Sequence, residues 1–285
     1  LTRTRAEVYL VCITLVWGST FIITKILLQN VTPFVYTALR FSLASIIFIP
    51  FFLYKKIRLS KASILSGLFL GVLLFLGFIS QTVGLKYTSA SKSAFITGMS
   101  VVFTPFFQYI IYKSIPTMGN ILGIFLVLIG LFLMTSPFDV NFNVGDAWTL
   151  LCALIFSIYI VYINVFSNKF EPSLLTIVQF LTNAILAIVF MYVLERPILV
   201  SNTLFFALMA YMVIMPTVVA LFVMAKYQKY TTPTRSAVIY SLEPLFASIF
   251  AYLLKGEMLN LRGIIGGFLI LIGVLVSELT KNANN

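Results

Sequence analysis

Two nine-residue stretches, Lys86–Ala94 (KYTSASKSA) and Lys229–Ala237 (KYTTPTRSA), decide how this chain is organised. They agree at five of nine positions and lie 143 residues apart. The same shift, without a gap, places Gly123–Leu133 (GIFLVLIGLFL) on Gly266–Val276 (GGFLILIGVLV), with six of eleven identical. A weaker match at a shift of 139 sets Pro33, Thr37 and Phe41 against Pro172, Thr176 and Phe180. Chance identity is high among Leu, Ile and Phe, so the Lys-Tyr-Thr and glycine registrations carry the argument. The chain is read as an internal duplication.

Between and around the repeated stretches lie long uncharged runs. There are 24 residues between Lys61 and Lys86, 25 between Lys113 and Asp139, and 22 between Asp146 and Lys169. Another 23 separate Glu171 from Glu195, and 29 separate Arg196 from Lys226. About 20 apolar residues cross a hydrocarbon core as a helix. β-Barrel strands would instead alternate over about 10 residues. The fold class expected is all-α integral membrane, with ten transmembrane helices near 6–28, 33–54, 63–85, 92–112, 119–136, 146–167, 173–194, 204–225, 235–254 and 262–280. Helices 1, 2 and 9 carry the internal charges Lys25, Arg40 and Glu243.

Composition agrees. Of 285 residues, 61% are hydrophobic and 9% charged, with a mean hydropathy of +1.07. Soluble domains carry roughly 25% charged residues, so soluble enzymes, nucleic-acid-binding modules and disordered chains are excluded despite the net charge of +11. The chain has no histidine, which removes Ser-His-Asp and Cys-His nucleophile systems and imidazole metal sites. Two cysteines and eight acidic residues leave little for a metal cage, and no cofactor is expected. A G-x-x-x-x-G-K-[ST] phosphate loop is missing, so an ATP-driven pump is unsupported.

Lysine and arginine placement sets the expected topology. With the N-terminus inside, twelve fall in cytoplasmic segments (Arg3, Arg5, Lys55, Lys56, Arg58, Lys61, Lys113, Lys169, Lys226, Lys229, Arg235 and Lys281). Five fall outside: Lys86, Lys92, Arg196, Lys255 and Arg262. This predicts N-in and C-in in the cytoplasmic (inner) membrane, an uncleaved first helix, and contact with anionic lipid rather than nucleic acid. Cys12 and Cys152 fall near opposite ends of their helices, which argues against a disulfide. Five helices per repeat is an odd number, so the second half enters the membrane inverted. Two inverted five-helix repeats around a midplane site are the architecture of many secondary transporters. Channels and some membrane enzymes also arose by duplication.

The chain resembles the EamA family of the drug/metabolite transporter superfamily. The residues that carry the likeness are Trp17-Gly18-Ser19-Thr20-Phe21, Pro33 with Arg40, and the series Pro244, Gly256-Glu257, Gly266 and Gly273. It covers two units, 6–137 (helices 1–5) and 146–280 (helices 6–10). Val101 and Ser114 depart from the pattern opposite Pro244 and Glu257, and Phe156-Ser157 replaces the Trp-Gly pair. The resemblance implies a central cavity lined mainly by helices 1, 3, 4, 6, 8 and 9. It also implies export or exchange of small metabolites, often amino acids. An uncoupled facilitator or channel, and uptake of nucleoside-like metabolites, are the alternatives.

Candidate site residues follow from polarity inside the membrane. Ser93, Thr97, Ser100 and Thr104 form one polar stripe on helix 4; the repeat mates of the first three are Ser236, Tyr240 and Glu243. These either line a cavity or bond neighbouring helices. Glu243, next to Pro244, lies deep in the membrane and is read as a proton carrier or as the structural partner of Lys25 or Arg40. Pro244 removes a backbone hydrogen bond and exposes the Tyr240 carbonyl. Lys25 and Arg40, whose mates are Asn164 and Gln179, are read as captors of a carboxylate or phosphate. Snorkelling is the competing role for Lys25 and helix bracing for Arg40. Trp17 and Phe21 share the face of Lys25 as an aromatic wall, with packing the commoner role for Phe21. Gly119, Gly123 and Gly130, with Gly263, Gly266, Gly267 and Gly273, supply small surfaces on helices 5 and 10 for bundle packing or a homodimer seam; otherwise the protein is a monomer. Pro105 and Pro216 predict kinks in helices 4 and 8.

Overall fold

A computed structural model of the chain describes residues 2–57, 59–135, 143–200, 202–255 and 261–279. The Gly256-Glu257 pair, Asp139, Arg58 and Lys281 lie outside the described residues, as do residues 137 and 280. Fourteen α-helices appear in order. The first seven are α1 (Arg3–Gly18), α2 (Thr20–Leu27), α3 (Pro33–Tyr54), α4 (Lys61–Tyr87), α5 (Ala90–Gly98), α6 (Ser100–Tyr112) and α7 (Met118–Thr135). The rest are α8 (Val144–Ser167), α9 (Pro172–Leu194), α10 (Thr203–Val213), α11 (Ala220–Tyr227), α12 (Pro233–Tyr240), α13 (Glu243–Lys255) and α14 (Leu261–Leu279). A π-helical turn, Ile214–Val219, joins α10 to α11.

Among the described residues, seven stretches are long and apolar enough to cross a membrane: Arg3–Leu27, Pro33–Tyr54, Lys61–Tyr87, Ala90–Tyr112, Val144–Ser167, Pro172–Leu194 and Thr203–Tyr230. The protein is all-helical among the described residues, apart from a single bridge pairing Val31 with Leu199. Large apolar side chains such as Ile46, Leu65, Phe106, Phe125, Ile185, Phe206 and Phe268 face outward, as a lipid-facing surface requires. The interior holds an aromatic ladder in which Phe41, Phe78 and Phe180 meet edge to face at 5.2 and 6.0 Å.

Helix starts repeat between the halves. Pro33 of α3 and its mate Pro172 of α9 both occupy the first helical turn, where a missing N–H costs nothing. Ser89 caps α5 by accepting from the Lys92 N–H, and its mate Thr232 caps α12 by accepting from the Arg235 N–H. Asn143 and Asp146 form a reciprocal capping box at the start of α8.

Four expected helices are interrupted. The first breaks at Ser19, between α1 and α2. The fourth breaks at Met99, whose N–H bonds the Ile96 carbonyl at 3.1 Å. The ninth breaks at Ser241–Leu242, where the Leu242 N–H bonds the Ile239 carbonyl at 3.1 Å. Met99 and Leu242 are repeat mates at the 143 shift, so the same tight turn divides both copies. The interruption in helix 4 therefore precedes Pro105, which sits inside α6. In the eighth helix the π-turn surrounds Pro216, which has no N–H for the Met212 carbonyl; the Thr217 hydroxyl donates to that carbonyl instead, at 2.7 Å.

The glycine surfaces of α7 and α14 close on each other within the chain. A Cβ at Gly123 would meet the Gly273 carbonyl at 2.6 Å, and one at Gly130 would meet the Gly266 carbonyl at 2.6 Å. Gly123 is the mate of Gly266 and Gly130 that of Gly273, so the two contacts exchange under the pseudo-twofold relation. The role of these surfaces in this structure is bundle packing.

Candidate functional site

A partly open cavity lies between the two halves. Its polar lining consists of Trp17, Thr20, Arg40, Gln81, Thr97, Ser100, Tyr159, Tyr240 and Glu243, and Phe78 and Phe156 add apolar rings. The lining follows the duplication. At the 143 shift, Phe78 pairs with Leu221, Gln81 with Met224, Thr97 with Tyr240 and Ser100 with Glu243. At the 139 shift, Trp17 pairs with Phe156 and Thr20 with Tyr159. All twelve of these residues line the cavity. The helix breaks deliver several of them: Ser100 opens α6 and Glu243 opens α13, directly after the two related turns.

Arg40 is buried, at 2% exposure. Its Nε donates to the Thr217 hydroxyl at 2.6 Å and one terminal nitrogen donates to the Tyr36 hydroxyl at 3.3 Å. The guanidinium lies 4.6 Å from the Phe78 ring centre, and its other terminal nitrogen has no hydrogen-bond partner. The carboxylate of Glu243 lines the same cavity, and no ion pair joins it to Arg40 or Lys25 among the described residues. Arg40 from the first half and Glu243 from the second thus bring two ionisable groups to one cavity.

The aromatic groups are held by hydrogen bonds that point away from the cavity. Trp17 Nε1 donates to the Pro216 carbonyl at 3.0 Å, and the Trp17 ring stands edge-on to Tyr240, with centres 5.4 Å apart. Tyr240 donates its hydroxyl to Gln228 Oε1 at 2.8 Å, while Gln228 Nε2 donates to the Ile160 carbonyl at 2.6 Å. That second bond fixes which way the Gln228 amide faces. Tyr159 donates to Gln179 Oε1 at 2.8 Å. Each phenol oxygen, having donated its proton, keeps lone pairs with which to accept a further hydrogen bond.

Six of the expected site residues line this cavity: Trp17, Arg40, Thr97, Ser100, Tyr240 and Glu243. The other six do not, and each has a packing or bonding reason. Phe21 packs with Leu85, Ala94 and Ala247. Lys25 donates to the Thr88 carbonyl. Ser93 and Ser236 are fully buried, the former 3.5 Å from the Thr149 hydroxyl. Asn164 donates to the Gln228 and Thr231 carbonyls at 2.7 and 2.9 Å and accepts from the Tyr112 hydroxyl at 2.7 Å. Gln179 acts behind the wall, on Tyr159. Two cations counted as loop residues also differ: Arg235 is buried, at 1% exposure, and Lys92 pairs with Asp146 at 2.6 Å. Gln81, Thr20 and Tyr159 escaped a search by charge; Thr20 and Tyr159 stand opposite each other in the 139 alignment, and that register exposes them.

Two polar clusters flank the cavity along the helices. In one, the Thr88 hydroxyl donates to Asp146 Oδ1 at 2.7 Å and the Thr88 carbonyl accepts from Lys25. In the other, the Thr231 hydroxyl donates to Glu7 Oε1 at 2.9 Å and the Thr231 carbonyl accepts from Asn164. Arg3 holds Glu7 at 2.7 Å from one turn away.

An all-helical bundle with several membrane-length segments and a charged internal cavity defines a multi-pass membrane protein with a solute site. The chain belongs to the EamA-like transporter family, whose pattern matches residues 4–136 and, a second time, 143–279. A protein of Archaeoglobus fulgidus described as an uncharacterized transporter is 32% identical over 97% of this chain and 87% of its own length. A protein of Chlamydia muridarum described as an S-adenosylmethionine/S-adenosylhomocysteine transporter is 26% identical over 85% of this chain and 81% of its own. One crystal structure, 17% identical, superposes with a TM-score of 0.83 over 100% of this chain and 99% of the other, showing the same fold.

Proposed function

We propose that the protein is a secondary transporter that moves a small amphoteric metabolite of the amino-acid type across the cytoplasmic membrane, as an exporter or exchanger. Ten segments cross the bilayer: the seven long ones, α7, α14, and α12 with α13 taken as one interrupted span. They form two inverted five-helix halves, near 6–137 and 146–280, with both termini in the cytoplasm. The observation that carries this reading is the cavity lined by both a buried guanidinium with an unpartnered terminal nitrogen, Arg40, and a carboxyl group, Glu243. Arg40 takes the carboxylate of the cargo, because a guanidinium with a free N–H matches that group. Glu243 and the acceptor oxygens of Tyr159 and Tyr240 take its ammonium, and Glu243 carries a proton when that ammonium leaves. Family membership and the names of the relatives support transport over catalysis.

Counterflow tests the reading. In proteoliposomes preloaded with unlabelled cargo, uptake of labelled cargo accelerates for a carrier. Uptake that preloading leaves unchanged identifies a facilitator or channel and sinks the proposal. The cargo is found by a thermal-shift screen of purified protein, since a ligand raises the melting temperature by mass action.

A second reading, uptake of nucleoside-like metabolites, is favoured by the rings of Trp17, Phe78 and Phe156, which suit stacking on a base, and by the description of the chlamydial relative. A shift with adenosine compounds and none with amino acids selects it.

A further inference from the structure

We infer that Asp146 and Glu7 are the paired gate carboxylates of the carrier, each latching the two halves together at one end of the cavity through the hydroxyl of a threonine in the opposite half. The inference rests on the transport reading above and adds the residues that separate its conformations.

The two latches are the same device built twice. Thr88 and Thr231 are repeat mates at the 143 shift; Glu7 and Asp146, and Lys25 and Asn164, are mates at the 139 shift. In each latch the threonine hydroxyl donates to a carboxylate of the other half, and the same threonine's carbonyl accepts from an amine or amide of its own half. Thr88 of the first half holds Asp146 of the second, and Thr231 of the second holds Glu7 of the first. Both carboxylates are buried, Asp146 at 0% and Glu7 at 7% exposure, so neither bond is a solvated surface contact. At the Asp146 end Lys92 adds an ion pair across the halves, at 2.6 Å.

The latches lie on opposite sides of the cavity. Asp146 and Asn164 are 18 residues apart on α8, about 27 Å at 1.5 Å per residue. Glu7 and Lys25 are likewise 18 residues apart along the α1–α2 rod. Trp17 and Thr20, and Phe156 and Tyr159, lie between them and line the cavity. Parting the halves at one end breaks one latch and leaves the other as the pivot. The exchange of the two states is then an exchange of which latch is closed.

The test reads conformation rather than flux. A single reporter is placed in the cavity as Ser100→Cys, in a background with Cys12→Ser and Cys152→Ala, and labelled with a membrane-impermeant maleimide from either side of oriented vesicles. Thr88→Val deletes one latch bond and keeps the side-chain shape and the Lys92–Asp146 pair. Thr231→Val does the same at the other end. Losing one hydrogen bond shifts the balance by about two- to tenfold. Thr88→Val is expected to speed labelling from one side and slow it from the other, and Thr231→Val to do the reverse. Asp146→Ala and Glu7→Ala follow their respective threonines with larger amplitude. Monodisperse variants whose labelling is unchanged, or that both shift toward the same side, overturn the latch assignment while leaving transport standing. Equal labelling from both sides in every variant marks an open pore and overturns both.

Discussion

Arg40 shows how much a single buried charge commits a site. Three of its contacts are internal, with Thr217, Tyr36 and the Phe78 face, so its position is fixed before any ligand arrives. The N–H groups of its unpartnered terminal nitrogen are what a ligand gains. Arg40→Ala is expected to weaken binding of a carboxylate-bearing cargo by about 10- to 100-fold, the worth of one charge-assisted hydrogen bond, read as the loss of a concentration-dependent melting shift. Arg40→Lys restores charge without the planar fork and recovers only part of it. Glu243→Gln keeps the shape and removes the charge. It is expected to abolish flux driven by a pH gradient while counterflow persists. pH-driven flux equal to that of the unmodified protein rules out Glu243 as the proton carrier. Both residues were legible as charges in apolar runs. Tyr159 and Gln81 were not, because uncharged polar side chains are common inside membrane helices and only the fold shows which way each one faces.

At the scale of elements, the interrupted helices and the glycine seam divide the labour. The turns at Met99 and Leu242 bring Ser100 and Glu243 to the cavity, and a strict 3.6-residue reading of helices 4 and 9 passes straight through them. The proline at 105 drew attention to the wrong turn, since the bonds that set the break lie among Ile96, Met99 and Val102, none of which is a breaker by type. At the seam, backbone meets backbone. Gly130→Ala puts a methyl 2.6 Å from the Gly266 carbonyl, whereas Gly98→Ala meets side chains, Leu131 at 3.3 Å and Pro244 at 3.6 Å. Gly130→Ala is expected to lower the melting temperature by several degrees, in line with overpacking costs of about 1–3 kcal/mol, and Gly98→Ala by much less. Equal shifts for the two would show that the seam yields. Gln228 offers a complementary case: Gln228→Ala strands the Tyr240 hydroxyl, at about 1–3 kcal/mol for a buried polar group, and lowers both stability and cargo affinity in the same assays.

For the whole molecule, the duplication was the most legible feature and the one that organises everything else. The 143 and 139 registers, found from short identities, also relate the cavity wall, the helix caps and the two latches. What they could not supply is the fate of individual cations. Arg235 and Lys92 were counted as loop charges because they stand at helix starts; the fold buries one and pairs the other with Asp146. The inverted topology proposed above predicts that reporter tags at the N- and C-terminus are both inaccessible to an external protease in intact cells. Accessibility of one tag alone would require an odd number of crossings and overturn the ten-span arrangement.

The seam between α7 and α14 has a consequence for biosynthesis. Gly130 finds its partner Gly266 only after another 136 residues have been made, on the order of ten seconds at roughly 5–20 residues per second. Throughout that interval α7 presents a bare backbone ridge to lipid or to the insertion machinery. In the ten-span arrangement proposed above, the first half is therefore inserted early but cannot close this seam until α14 arrives, and a ribosome that stalls before Leu261 leaves α7 without its partner.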